Sequence, residues 1–441
     1  MNKSIVSLVK YEKSLESVRK VIDQAKGFEK LKPGFKVFIK PNIVCWFRGV
    51  EFPKWGVITT SRVMEDLVVL LKERGINDIT IGEGIISFDP KDNEAVYKDA
   101  WEKLGYLKLQ ERYGVKLINL FEAPYKKIDI GCDFLVEINE EALKSDFFID
   151  VPVLKTHAQA RVSLGLKNLK GLLNMATRKK FHSANPEKDL HYNIAHFVNL
   201  FKNCLTIIDG IYTLERGPTM DGSSHRHDIL IASTDMLSAD LVGAKVLGFE
   251  PADVPHLAIA AKIQKRPSDL SDIETNGEKI EALMSHHEWD FPYNEAGDLP
   301  IQFHKHGMKG IKYPKYDSTL CSYCSVINGI LLMGIKFAWD GRPFDNIEIL
   351  TGKIKKPTPG MNKTILVGQC MCNANKNHPG IKEMILIKGC PPSKEAIKEG
   401  LEKAGIDVPD MFYKNFDKAP GMAMVRYKDK PEFDPKFYEI V

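Results

Sequence analysis

The sequence lacks an excess of charge of one sign. Its 441 residues include 62 Lys and Arg against 58 Asp and Glu, which gives a formal net charge of +4. Domains that bind nucleic acids through their phosphates usually carry a clearer basic excess, so we predict no nucleic-acid partner. With 44% hydrophobic and 27% charged residues, the composition is that of a globular protein and excludes a disordered or collagen-like chain.

The sequence also lacks a hydrophobic run long enough to cross a membrane. Its most apolar stretch, 325–339, is interrupted by Asn328, Gly334 and Lys336, whereas a membrane-spanning helix needs about 20 apolar residues. The first residues, MNKSIVSLVKYEK, place charges where a signal peptide has its apolar core. We therefore expect a cytoplasmic protein with no membrane partner.

Cysteine is scarce over most of the chain and concentrated near its end. Three cysteines lie in the first 320 residues, and five lie in the last 121. These five are Cys321, Cys324, Cys370, Cys372 and Cys390. In a reducing cytoplasm, such a group indicates metal binding or catalysis rather than disulfides. Cys321-x2-Cys324 places two thiolates on one turn, which is a common opening of a zinc or iron–sulfur site.

Cys370 and Cys390 each follow a predicted strand, and parallel neighbouring strands would bring them to the same edge of a sheet. No histidine lies within a few residues of Cys321 or Cys390, so an all-thiolate site is expected. The dispersed spacing favours a [4Fe–4S] cluster over a structural zinc ion, which normally uses two tight pairs; zinc and free thiols remain the alternatives. The predicted ligands are Cys321, Cys324, Cys370 and Cys390, with Cys372 as the alternate to Cys370.

Short apolar runs alternate with amphipathic segments, which is typical of an α/β fold with a parallel sheet. Strands are predicted at 36–40, 78–82, 147–154, 205–209, 229–233, 347–350, 364–368 and 383–388. Helices are predicted at 61–74, at 238–247 and from the N-cap Ser393 to about Lys403. The predicted fold is therefore α/β, with parallel-sheet Rossmann-like lobes and a C-terminal α/β lobe that carries the cysteines. The predicted boundaries are 1–263 for the N-terminal domain, 264–320 for an irregular connector and 321–441 for the cysteine lobe.

Polar side chains follow five of the predicted strands. Ligands of open parallel sheets bind beyond the carboxyl ends of the strands, so we predict a substrate pocket at this edge, although each residue by itself could serve a turn or a helix cap. The predicted substrate-binding residues from the strand ends are Lys40, Asn42, Glu83, Lys155, Asp209 and Asp235. Gly82-Glu83-Gly84 lacks the third glycine of the dinucleotide-binding motif, so NAD binding is not predicted.

The segment 155–180 is basic and contains no acidic residue. Lys155, Lys167 and Lys170, with Asn168, are predicted to bind the anionic part of a substrate, since lysines bind phosphates and carboxylates by charge and hydrogen bonding. Gly165 and Gly171 bracket this group and are interpreted as points where the backbone approaches the ligand closely. A solvated basic face is the alternative. His157 and His182, together with Lys167, are the predicted catalytic residues for proton transfer, and structural histidines are the alternative.

Several motifs in order resemble the family called domain of unknown function 362. They are Phe38-Ile39-Lys40-Pro41-Asn42, Thr59-Thr60, Ile81-Gly82-Glu83-Gly84, 151–157, 166–171, Ile208-Asp209-Gly210, Gly217-Pro218 and Ser233-Thr234-Asp235 with Asp240. The resemblance covers roughly residues 5–260 and implies an iron–sulfur cluster-binding protein of mostly unassigned activity. Many members carry a ferredoxin insert with two Cys-x2-Cys-x2-Cys-x3-Cys-Pro runs. This chain has no such run, so a two-cluster electron wire is not implied.

A second resemblance is more distant. The N-terminal domain of nickel-pincer lactate racemases has a His, a Lys about ten residues later and a His about fifteen residues further on. His157, Lys167 and His182 have that spacing. This resemblance implies a nickel cofactor on the lysine and proton or hydride transfer by the histidines, although the sequence around Lys167 differs.

Together these features predict a cytoplasmic iron–sulfur protein that works as an anaerobic redox enzyme. We expect an oxidoreductase that acts on an anionic small molecule held between the two lobes, with a redox protein as electron donor. One alternative is a racemase-like or epimerase-like enzyme that uses His157, Lys167 and His182 beside a structural metal. Another is a non-catalytic electron-transfer or cofactor-maturation partner. The oligomeric state is left open, a homodimer included.

Overall fold

The computed structural model describes residues 3–87, 92–122 and 124–440, and the chain forms two compact units. The first unit comprises Met1–Thr177, His191–Asp290 and Pro420–Val441. The second unit comprises Arg178–Leu190 and Phe291–Ala419. These boundaries differ from the predicted ones, because the chain enters the second unit twice and returns to the first unit at its end.

A ten-stranded, mostly parallel sheet forms the centre of the first unit. Its main order is β12-β1-β11-β10-β7-β2-β3-β4, with β8 pairing with β10 and β9, and β5 and β6 form a separate hairpin. The strands are β1 Ser4–Lys10, β2 Lys36–Pro41, β3 Asp78–Glu83, β4 Lys116–Asn119, β5 Tyr125–Ile128, β6 Val136–Asn139, β7 Phe147–Val151, β8 Val153–His157, β9 Arg161–Ser163, β10 Cys204–Glu215, β11 Ser223–Ser233 and β12 Ile273–Gly277.

The second unit is built on a smaller sheet. Four strands pair in parallel in the order β13-β14-β15-β16. They are β13 Ile311–Lys312, β14 Ile347–Leu350, β15 Lys363–Val367 and β16 Glu383–Ile387. The predicted fold class is confirmed: both units are α/β, and the C-terminal one carries the five clustered cysteines.

Helices connect and cover the strands. They are α1 Glu16–Gln24, α2 Ser61–Glu73, α3 Asn93–Lys103, α4 Tyr106–Tyr113, α5 Glu140–Leu143, α6 Gly165–Asn168, α7 Met175–Phe181, α8 Leu190–Ala195, α9 Met236–Val246, α10 Pro255–Ile263, α11 Ile280–Leu283, α12 Ile301–Lys305, α13 Ser322–Ala338, α14 Gly368–Asn375, α15 Lys394–Ala404, α16 Asp410–Asn415 and α17 Ala419–Met422. Within the described ranges, no helix is long and apolar enough to span a membrane.

The apolar runs of the sequence explain the central strands. Every residue of β7 is buried, as expected for a strand covered on both faces of a parallel sheet. α2 turns Val63, Leu67 and Leu71 toward the core at helical spacing, and each is fully buried. The sequence pattern therefore determines these elements locally.

Two segments join the first unit for reasons that local patterns do not show. β12 pairs in parallel with β1, from Ser4 opposite Ile273 to Leu8 opposite Gly277, although its own sequence is largely polar and exposed. The C-terminal tail packs Phe433 and Tyr427 against Trp55, with ring centroids 5.4 Å from the indole in both cases. Aromatic burial of this kind explains why the tail lies with the first unit.

One strand departs from the predicted parallel arrangement. β11 runs antiparallel to both β10 and β1. Asp235, which follows β11, therefore lies at the end of the sheet where β10 begins, and the predicted edge shared with Lys40 and Glu83 is wrong for this residue. A hairpin with β10 causes the reversal, because residues 216–222 are too few for a parallel crossover.

Candidate functional site

Four of the predicted substrate-binding residues meet inside the first unit. Lys40 on β2 is fully buried, and its Nζ atom donates to Glu83 Oε1 and Oε2 at 3.1 and 3.0 Å and to Asn168 Oδ1 at 3.1 Å. Asn42 donates to the same Asn168 oxygen at 3.0 Å. These side chains therefore form one buried group, in which a cation lies against an anion.

Asp150 on β7 belongs to the same group, and sequence reasoning missed it. Its Oδ1 atom accepts a 2.8 Å hydrogen bond from Asn168. Burial raises the pKa of this carboxyl well above its usual range, and the nearby carboxylates of Asp240 and Glu83 add to that rise, whereas Lys40 opposes it. The available signal was one acidic residue within the apolar run FFIDV.

The two glycines of the basic segment lie directly against the side chains of this buried group. A Cβ on Gly171 would lie 2.4 Å from Lys40 Cε and 2.7 Å from Glu83 Oε1. A Cβ on Gly165 would lie 2.9 Å from Asp240 Oδ1, which accepts the Gly165 amide proton at 2.7 Å. These glycines therefore leave room for buried side chains of the protein, and the interpretation that they bring the backbone to a ligand stays a prediction.

Lys155 on β8 is also fully buried. Its Nζ atom donates to the carbonyl oxygens of Val57 at 2.7 Å and Pro218 at 3.2 Å. Burial lowers the pKa of this ammonium group to about 7, and the nearby positive charge of Lys167 acts in the same direction. Lys155 and Lys167 therefore lie in one region of the first unit, where the buried amine has lost much of its preference for the charged form.

The remaining predicted residues of the first unit lie at separate places. His157 ends β8 and is nearly buried, and its Nδ1 atom accepts the amide proton of Gln159 at 3.0 Å. Lys170 is buried in the turn after α6. Asp209 lies within β10 and accepts the Thr60 amide proton at 2.7 Å. Asp235 caps α9 by accepting from Ser238 N at 2.7 Å.

His182 belongs to the second unit. Its Nδ1 atom lies 2.8 Å from the carbonyl oxygen of Ser318, three residues before Cys321. Lys353 donates to the carbonyl oxygens of Lys179 at 3.2 Å and of His182. Hydrogen bonds therefore connect Lys179 and His182 to Lys353 and Ser318, within the unit that carries the clustered cysteines.

Three cysteines lie at the beginnings of two helices of the second unit. Cys321 is the N-cap of α13, and Cys324 lies in its first turn. Cys370 lies in the first turn of α14, which begins at Gly368. The first turn of a helix has free N–H groups and the positive end of the helix dipole, so it stabilises thiolates and other anions.

Cys390 joins these three cysteines from the loop after β16. The Gln369 amide donates to Gly389 O at 2.9 Å, which ties this loop to the first turn of α14. The pKa of Cys324 is raised, first by its hydrogen bond with Cys321, then by burial and by the charges of Cys390 and Cys370. All four cysteines therefore lie close enough together to influence one another electrostatically.

The second cysteine of α14 points elsewhere. Cys372 is buried in an apolar cluster with Leu350, Leu366 and Met371. Its thiol donates to Leu366 O at 3.3 Å. Two residues along a helix project to different sides, which separates Cys372 from Cys370.

A lysine that the sequence analysis did not single out, Lys179, lies beside the cysteines. Lys179 Nζ lies 3.2 Å from Cys390 Sγ and 5.3 Å from the centroid of the Tyr323 ring. Lys353 and Lys179 both lower the pKa of Cys370, against the larger effect of burial, which raises it. In the sequence, Lys179 was marked only by its position in the basic segment 155–180.

The described residues contain no group of three or more His, Cys, Asp or Glu side chains placed to hold a metal ion. Cavities of about 140 and 340 Å³ lie beside Asp23 and Arg74 in the first unit and beside residues 373–379 in the second. Neither cavity is lined by a predicted site residue.

Three comparisons relate the chain to known proteins. A thylakoid-associated protein of Synechocystis, sll1697, is 27% identical over 258 residues, which cover 58% of this chain and 76% of that protein. The solved structure of the lactate racemase apoprotein from Thermoanaerobacterium thermosaccharolyticum is 11% identical and has a TM-score of 0.38, over 97% of this chain and 91% of that one. The family model described as Domain of unknown function (DUF362) matches residues 37–245, which contain the motifs from β2 to α9 and the whole buried group around Lys40. The predicted resemblance to this family is confirmed, since residues 37–245 match its model.

Proposed function

We propose that the second unit binds a [4Fe–4S] cluster through Cys321, Cys324, Cys370 and Cys390, and that the protein works as an iron–sulfur redox protein. The convergence of four cysteines from three separate segments of the chain carries this proposal. Four thiolates are the usual ligand set of such a cluster.

The electrostatics of the four cysteines support a positively charged occupant. Each neighbouring thiol raises the pKa of Cys324, because thiolates close together repel one another. Iron ions would supply the missing positive charge, and the first turns of α13 and α14 would stabilise the thiolates. A bound cluster would supply one-electron transfer.

The choice of a cluster over zinc rests on the spacing of the cysteines in the sequence. A structural zinc ion normally uses two tight pairs of ligands. Among the four proposed ligands, only Cys321 and Cys324 form such a pair, and Cys370 and Cys390 come from separate segments. This dispersed spacing favours a [4Fe–4S] cluster, in which each iron binds its own cysteine.

The anionic substrate and the catalytic role of His157, Lys167 and His182 stay predictions. Lys40 already binds Glu83, and Lys155 already donates to two carbonyl groups, so their hydrogen bonds support structural roles. Electron transfer to a partner and electron transfer to a bound substrate both require the cluster, which makes the cluster the first feature to test.

The test is anaerobic reconstitution of the full chain with iron and sulfide, followed by iron and sulfide analysis and visible absorbance. We expect about four irons and four sulfides per chain, since this is the composition of the cluster. Cys321→Ser, Cys370→Ser and Cys390→Ser should each lower the iron content sharply.

Cys372→Ser and Cys45→Ser are the matched controls, because both cysteines are buried away from the four proposed ligands and should leave iron binding unchanged. Zinc without sulfide in the purified protein would overturn the cluster. Loss of iron in Cys372→Ser with full iron in Cys370→Ser would overturn the ligand set.

A further inference from the structure

We infer that Lys179 sets the reduction potential of the proposed cluster, acting as a positioning residue that donates a hydrogen bond to the sulfur of Cys390. This inference rests on the proposed function. Lys179 lies on α7, far in the sequence from the four proposed ligands. Its Nζ atom nevertheless lies 3.2 Å from Cys390 Sγ, within the range of a hydrogen bond to sulfur.

The position of Lys179 is defined by contacts on several sides. Its ammonium group lies 5.3 Å from the centroid of the Tyr323 ring, between Cys321 and Cys324 in sequence, which is a cation–π distance. Its carbonyl oxygen accepts a 3.2 Å hydrogen bond from Lys353, which also donates to the carbonyl of His182. His182 in turn bonds to Ser318, just before Cys321. Lys179 is half-buried, and contacts of both its backbone and its side chain place it beside Cys390.

The chemistry of this contact fixes the direction of its effect. Reduction adds one electron and makes the cluster and its thiolates more negative. A positive donor against a ligand sulfur stabilises that form more than the oxidised form, so it raises the reduction potential. The role differs from ligation, because a lysine ammonium group donates hydrogen bonds and does not bind iron.

The experiment compares the potentials of variants of the full chain after anaerobic reconstitution. Dithionite supplies the electron, and electron paramagnetic resonance follows the reduced cluster during a mediated titration. In Lys179→Met the equilibrium constant for one-electron reduction should fall about tenfold, which corresponds to a midpoint about 59 mV lower. Lys179→Arg, which keeps the charge and the donor, should recover most of this difference.

Lys180→Met is the matched control, since it removes the same charge from the next, exposed residue of the same helix. We expect its midpoint to change by less than a third of the Lys179→Met shift, because solvent screens an exposed charge. Equal shifts in the two variants would show a general effect of net charge and would overturn the inference.

The outcomes separate this inference from the function on which it rests. If the wild-type chain binds no iron, the proposed function fails. If the wild type loads a cluster and Lys179→Met has an unchanged midpoint, the inference about Lys179 fails and the cluster stands. If Lys179→Met loses its iron, Lys179→Gln provides the measurement with a neutral donor and should give an intermediate shift. Iron loss in every Lys179 variant would assign the residue to cluster retention and overturn a role in the potential.

Discussion

The two units place their reactive side chains in opposite surroundings. In the first unit the buried cation of Lys40 lies against the buried carboxylate of Glu83, and Asn168 bonds to both Lys40 and Asp150. In the second unit the three thiols of Cys321, Cys370 and Cys390 raise the pKa of the fourth, Cys324. Opposite charges stabilise one another within the protein, whereas like groups gain stability when a cation is added. We therefore expect a structural role for the first group and a bound ligand in the second.

The largest effect should come from separating the buried ion pair. Lys40→Met leaves the carboxylate of Glu83 buried without its cation, so we expect a loss of about 3–5 kcal/mol in the free energy of unfolding. Urea unfolding followed by tryptophan fluorescence measures it, because four of the five tryptophans lie in the first unit.

The control for this prediction is Lys13→Met, which breaks the exposed pair of Lys13 with Glu16 and should change stability little. The double variant Lys40→Met with Glu83→Leu should be more stable than Lys40→Met alone, since no buried charge remains unpaired. Equal stability of Lys40→Met and wild type would show that the group around Lys40 is open to solvent or ligand, and the contrast between the units would be lost.

A smaller loss in the free energy of unfolding should follow from adding a methyl group next to the same buried side chains. In Gly171→Ala the new methyl group would lie 2.5 Å from Lys40 Nζ, which is buried and bonded to Glu83 and Asn168, so the lysine can move only by disturbing these bonds. Overpacking of this kind costs about 1–3 kcal/mol, measurable in the same urea experiment.

Gly329→Ala is the matched control for crowding. Gly329 lies inside α13, and beyond the backbone of that helix no described atom lies within 4 Å of its Cβ position. Alanine favours a helix interior over glycine, so this variant should gain about 0.5–1 kcal/mol. A neutral or stabilising Gly171→Ala would instead indicate an empty space beside Lys40, as the ligand-approach interpretation required.

The smallest effect should be a pH dependence that Lys155 contributes to the first unit. Its pKa is lowered from 10.5 to about 7 in the folded chain. Between these values the unfolded chain holds a proton that the folded chain has released, so stability rises with pH across this window. One proton contributes at most about 1.4 kcal/mol per pH unit. Urea unfolding between pH 7.5 and 9.5 should show this slope.

Comparison with a variant isolates the contribution of Lys155. Lys155→Met removes the titrating amine and should lower the slope by about one proton, whereas Lys13→Met should keep the wild-type slope. An identical slope in Lys155→Met would mean that Lys155 is charged throughout the range, as an amine bound to an anionic ligand would be.

Local patterns predicted most of the central elements. The strand 347–350 was predicted with its observed bounds, and Ser393 caps α15 by accepting from Ala396 N at 3.2 Å. Alternation of short apolar runs with amphipathic helices is local information, so it predicted the α/β class as well. The antiparallel direction of β11 could not be predicted in this way, because its apolar residues have the same pattern in either direction.

The candidate sites show the same division between what local sequence predicts and what contacts between distant residues decide. The sequence indicated Lys40, Asn42, Glu83 and Asn168 as polar residues of one region, and the structure brings them together. Their partners could not be read from the sequence, because Lys40 and Asn168 are 128 positions apart. A lysine at a strand end has the same local sequence whether it meets a substrate or a buried glutamate.

The sequence by itself determined the α/β class, the match of residues 37–245 to the family model and the concentration of cysteines in the last 121 residues, since each depends on residue types and short spacings. Tertiary structure decided that Cys370 lies with Cys321, Cys324 and Cys390 while Cys372 enters the core, because helix α14 turns the two cysteines to different sides. It also decided that Lys179 reaches Cys390 across 211 positions of sequence. Contacts between distant segments depend on how the sheet and helices pack, and no local pattern encodes that packing.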